Sequence, residues 1–106
     1  MLYGSISLSA LGDTTVVPAI SGYRVRVLGY VISAAGAVSV QFKSGSTAIS
    51  GPMYMVAGSN IATHPSASTE QSEMGVVQTN PDEAFVINLS AAVVVGGHVN
   101  YKYVKV

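Results

Sequence analysis

Val38, Val40 and Phe42 alternate with Ser39, Gln41 and Lys43, and later in the chain Phe85, Ile87 and Leu89 alternate in the same way. A period of two belongs to a strand with one face in a core and the other toward water. Turn-forming groups interrupt this rhythm every eight to twelve residues, among them Leu11-Gly12-Asp13, Ser21-Gly22, Ser44-Gly45-Ser46, Gly51-Pro52, Asn80-Pro81-Asp82 and Gly96-Gly97. Such spacing marks all-β sandwiches and barrels. No segment reads as a helix.

The pattern predicts strands over residues 3–8, 14–17, 23–32, 37–43, 47–49, 53–56, 74–78, 83–89 and 98–106, with 57–71 as the longest irregular region. Ile6 and Leu8 share a face. In the third strand Tyr23, Val25 and Val27 face one way, and Arg24, Arg26 and Leu28 the other. Ala34-Ala35-Gly36 is read as the turn of a hairpin joining the third strand to the fourth. In the last strand Val99, Tyr101 and Tyr103 share a face. Eight or nine strands in a chain of 106 residues fit a single-domain jelly roll, an antiparallel β-sandwich, with an immunoglobulin-like sandwich next. The whole chain, 1–106, is one domain with room for one modest core.

Charge is scarce. Five basic and five acidic residues cancel, and charged residues make up 9% of the chain against 49% hydrophobic. Soluble domains carry about a quarter charged residues, and a chain this small has too much surface to hide its apolar excess in one core. Burial of outer surface against copies of itself or a larger assembly is therefore expected, and a structural part rather than a free-standing catalyst. With no cysteine there are no disulfides, no thiol chemistry and no cysteine-ligated metal, which fits a reducing compartment. Met1-Leu2-Tyr3-Gly4-Ser5 offers neither the positive region nor the apolar run of a signal peptide, so none is expected. The uncharged stretch 27–42 is broken by Gly29 and Gly36 and is shorter than the ~20 residues of a spanning helix, so no membrane partner is expected.

Catalytic constellations are absent from the pattern. His64 or His98 with Asp13 or Asp82 and a serine would supply triad chemistry, yet no G-x-S-x-G elbow exists and His64 sits before Pro65 in a Ser/Ala-rich loop. His98 follows two glycines as a turn or surface residue. His64, Glu70, Glu73 and Asp82 show no metal-ligand spacing, and Asp82-Glu83 continues a turn signal. No glycine pattern cradles a phosphate, and zero net charge argues against nucleic acid. Asn88-Leu89-Ser90 matches a glycosylation sequon but lies within an expected strand, and is read as accidental. The expectation is no enzyme, no cofactor and no metal.

Two groups of residues remain as candidate contacts. Arg24 and Arg26 are two apart and so share a face, either as a polar contact patch or as ordinary solvated arginines paired with Glu70 or Glu73. Six of the eight aromatics are Tyr. Val99, Tyr101 and Tyr103 are the candidate subunit interface, since Tyr is enriched there, with core packing as the plain alternative.

The run from Ser21-Gly22-Tyr23-Arg24-Val25-Arg26-Val27 through Ser33-Ala34-Ala35-Gly36-Ala37-Val38, its continuation Val40-Gln41-Phe42-Lys43-Ser44-Gly45-Ser46, and the later Asn88-Leu89-Ser90-Ala91-Ala92 with Val95-Gly96-Gly97-His98-Val99 resemble small structural proteins of tailed bacteriophages. The resemblance covers about half the chain and leaves out residues 57–79. It implies a short jelly-roll subunit, a TNF-like homotrimer, that sits on the outer surface of the phage head as a decoration or cement protein and stabilises the shell. The implied partners are other copies of the chain and the major capsid protein, for which the Arg24 and Arg26 patch, read from charge placement and not from the resemblance, is the candidate contact; the implied location is the virion, after synthesis in the host cytoplasm. No site residue carries over. The alternative is a receptor- or glycan-binding module of a fibre or tail, with a groove in residues 57–79.

Overall fold

The computed structural model describes residues 2–63 and 75–106. Among them are ten strands and no helix: β1 (Leu2–Leu8), β2 (Gly12–Val17), β3 (Tyr23–Ala34), β4 (Val38–Ser44), β5 (Thr47–Ala48), β6 (Met53–Met55), β7 (Asn60–Thr63), β8 (Val77–Gln78), β9 (Phe85–Leu89) and β10 (Val95–Lys105). They form two antiparallel five-stranded sheets. The first runs β1-β10-β3, with β7 and β8 in tandem along the outer edge of β3; the second runs β2-β9-β4, with β5 and β6 in tandem along β4. Counting each tandem pair as one position leaves four positions facing four, in the strand order of a jelly roll.

The core lies between the sheets and is built by the expected alternation. Val38, Val40 and Phe42 of β4 meet Phe85, Ile87 and Leu89 of β9, and from the other sheet Ile6, Leu8, Val25, Val27, Ile32, Val95 and Val99 close over them. The Tyr30 and Phe42 rings touch edge to face with centroids 5.1 Å apart, one from each sheet.

Three local expectations are corrected. β3 and β4 do not form a hairpin: β3 bonds to β10, β7 and β8, whereas β4 bonds to β9, β5 and β6. Each strand has an apolar face to bury, and residues 35–37 carry the chain across the sandwich so that those faces oppose each other. The alternation of β3 also changes phase. Val27 pairs with Tyr101 and Gly29 with Asn100, which leaves Leu28 as an extra residue in a bulge. Val25 and Val27 point inward before it, Ile32 and Ala34 after it, and Leu28 is fully buried outside the main cluster. Finally, residues 57–71 are not all irregular, since β7 occupies Asn60–Thr63 and pairs with β3. Residues 64–74, with His64, Glu70 and Glu73, lie outside the described residues.

β10 is the spine of the first sheet, bonded on both sides, and starts at Val95 rather than at 98. Gly97 fixes its approach to β3: with φ at 146°, a Cβ there would stand 1.8 Å from the Val31 carbonyl oxygen. Only glycine fits.

Candidate functional site

Strand direction places most of the described connections at one of two ends of the sandwich. Residues 18–22, 79–84 and the turn after β4 lie at one end, together with the end of β10. Here side chains tie separate connections together. Asp82 sits at φ 64°, a left-handed turn conformation that Asp tolerates. Its Oδ1 accepts from the Gly22 N–H at 2.6 Å, while its own N–H donates to the Tyr23 carbonyl at 2.9 Å. Thr79, almost wholly buried, accepts the Val25 N–H on Oγ1 at 2.8 Å. The buried Ser44 hydroxyl donates to Glu83 Oε1 at 2.6 Å and accepts the Asn80 N–H at 2.8 Å. The Tyr103 hydroxyl donates to the Pro18 carbonyl at 2.8 Å, and burial, then the neighbouring Tyr101, raises its pKa. The acids at this end serve turns.

The opposite end is made by residues 9–11, 35–37, 56–59 and 90–94, and none of these four connections contains Lys, Arg, Asp or Glu. They adjoin one another. The Leu8–Val95 and Gly12–Leu89 pairs set 9–11 beside 90–94. The Ala35 N–H donates to the Val94 carbonyl at 2.9 Å, and Gly58 and Ser59 exchange bonds with Ala34 at 2.9 and 3.0 Å. On this end Leu11 is 66%, Val56 66% and Val94 61% exposed, with Tyr54 of β6, at 84%, just beside it. These are four of the eight exposed large hydrophobic residues among the described ones. An apolar patch without charge is the surface expected of a contact with another protein.

The residues singled out from sequence lie elsewhere. Arg24 and Arg26 share the outer face of the first sheet, as expected, but both are half-buried. Arg26 stands opposite Lys102 and Gln78, and its Nε donates to Gln78 Oε1 at 3.1 Å. Arg24 stands opposite Val104, and its Nε is enclosed without a hydrogen-bond partner among the described residues; Glu70 and Glu73, the partners expected from sequence, lie outside them. Val99 is 0% exposed between the sheets, so it fills the core and has no surface to give a neighbouring subunit. Tyr101 and Tyr103 pack half-buried against that core, edge to face at 5.7 Å. His98 is exposed on the outer face between Ser5 and Val31. Asp13 is far from it in sequence and role: Lys43 Nζ at 2.8 Å and the Asn88 amide at 2.7 Å hold its carboxylate, and the Lys43 hydrogen bond, then that of Asn88, lowers its pKa. The described histidine and acids are thus not brought to one place.

Sequence reasoning missed Leu11, Tyr54, Val56 and Val94. Each connection could be seen to lack charge, but nothing in the sequence brings four separated segments to one end. The fold defines the class, an eight-position jelly-roll sandwich with one end whose connections carry no charge among the described residues. Comparison with protein-family models, with curated proteins and with solved structures finds no match in any of the three.

Proposed function

We propose that this chain is a structural subunit that decorates the outer surface of a bacteriophage head as a homo-oligomer and stabilises the shell. The observation that carries the reading is the charge-free end, where Leu11, Val56 and Val94 stand exposed on three of four adjoining connections. A patch of this kind loses apolar surface to a protein partner at about 25 cal/mol per Å² without stripping water from an ion. It suits shell contact better than Arg24 and Arg26, which are half-buried and in part engaged. The resemblance to small phage structural proteins supplies the head and the trimer in this proposal; the low charge of the whole chain supports assembly.

The work of such a subunit is thermodynamic. Bound copies favour the assembled shell over any state that binds them less well. A trimer engaging three equivalent sites would add avidity without stronger single contacts. Quantitative mass spectrometry of purified particles tests the reading: a copy number comparable to that of the major capsid protein is expected. A handful of copies would overturn the decoration reading in favour of a fibre or tail module, and absence from particles would overturn the virion reading altogether.

A further inference from the structure

The four sheet edges are not equally protected. A bare strand edge offers unpaired N–H and C=O groups, and proteins blunt such edges with bulges, charge, proline or short strands. β2 has a bulge at Val16 and carries Asp13. The β4 side is covered by strands of two and three residues with Pro52 between them, and the β3 side by strands of four and two residues. β1 has none of these devices. It is seven residues long, Leu-Tyr-Gly-Ser-Ile-Ser-Leu, in unbroken register with β10 and without charge or proline. Its outer edge has no strand partner among the described residues, and Leu2 and Tyr3 are 47% and 73% exposed.

We infer that the β1 edge pairs antiparallel with β1 of a second copy of this chain, about a two-fold axis at Ser5. In that register Ser5 meets Ser5, Tyr3 meets Ser7, Gly4 meets Ile6 and Leu2 meets Leu8. The occupant follows from self-complementarity. A two-fold sets identical segments against each other, and β1 opposes no like charges when it does so. The smallest residue falls opposite the β-branched one, and the two leucines fall opposite each other, which covers the exposed Leu2. By contrast, the outer face bearing Arg24, Arg26 and Lys102 would set cation against cation. The contact is independent of the decoration reading: it joins two free chains, and in a trimer held by other surfaces it would join one trimer to the next.

The cysteine-free chain allows a direct test on the purified protein alone. Across the axis the two Ser5 Cα atoms would lie about 4.5–5.5 Å apart, inside the ~4.4–6.8 Å that a disulfide spans. The two Ser7 Cα atoms, four strand positions out of step, would lie roughly 14 Å apart. Ser5→Cys should therefore form disulfide-linked dimers under mild oxidation, and Ser7→Cys, on the same strand and face, should not. Equal cross-linking of the two, or none with Ser5→Cys, would overturn the pairing. Both side chains are exposed, so the fold is not at stake. In the unmodified protein, β1 amides should gain hydrogen-exchange protection as concentration rises, and Ser5→Lys, which sets like charges face to face, should abolish that gain. Concentration-independent exchange along β1 would contradict the proposal without recourse to any variant.

Discussion

The two ends of this sandwich are closed by connections of similar length and opposite chemistry. At one end Asp82, Thr79, Ser44 and Glu83 knit the turns with side-chain hydrogen bonds, exposed at Asp82, buried at Thr79 and half-buried at Ser44 and Glu83. At the other, backbone bonds hold the connections, the one-residue-wide contact of Ser90 with Ser39 and of Ser59 with Val56 being the side-chain exceptions, and the apolar residues face outward. The first end holds the fold together, and the second is the one we propose is covered. Stability and contact are thus separable by substitution.

The largest effect should come from the strand that serves both ends. Gly97→Ala forces a Cβ into the Val31 carbonyl, and chemical denaturation should show a loss above ~4 kcal/mol, the exceptional range for one substitution. A loss below about 1 kcal/mol would mean that β10 and β3 are not held at this spacing. At the knit end, Thr79→Val should cost about 1–3 kcal/mol, because the Val25 N–H is left buried without an acceptor. Leu11→Ser, Val56→Ser and Val94→Ser should each change unfolding free energy by less than ~0.5 kcal/mol. Should one of them cost as much as Thr79→Val, the division between the ends fails.

The smallest effect is a pH dependence on the outer face of the second sheet. The Asp13 carboxyl is held below its ordinary value by Lys43 and then Asn88, so folding favours its ionised form. Its contribution is complete above the unfolded-state pKa, near 4, and is lost as pH falls through the lower folded value. Asp13 is exposed, so this contribution is well under ~1 kcal/mol. Asp13→Asn should lower the melting temperature slightly at neutral pH and leave it unchanged in acid. A larger gap in acid than at neutral pH would contradict the assignment.

Much of this fold was legible in the sequence because its code is local. The alternation in β4 and β9 predicts which residues face the core, and Asn80-Pro81-Asp82 predicts a turn that the structure makes with Asp82 in the left-handed region. What was not legible depends on partners distant in the chain. A short turn such as 35–37 reads the same whether it joins neighbours in one sheet or steps between sheets. The bulge at Leu28 is set by the register against β10, so the alternation of β3 misassigns residues beyond it. The alternation groups Val99 with Tyr101 and Tyr103 on one face, but Val99 is buried in the core and only the tyrosines are partly exposed. The charge-free end needs four connections to meet, and no single one of them announces it.

The central claim is that this end makes the shell contact. The most direct test is binding of two variants to particles stripped of the protein, each with aspartates at exposed apolar positions. One carries Leu11→Asp, Val56→Asp and Val94→Asp; the other carries Ile20→Asp and Val106→Asp at the knit end. With both folded by thermal melting, the first should fail to bind and the second should bind as the unmodified chain does. Undiminished binding of the first, or loss confined to the second, would contradict the account.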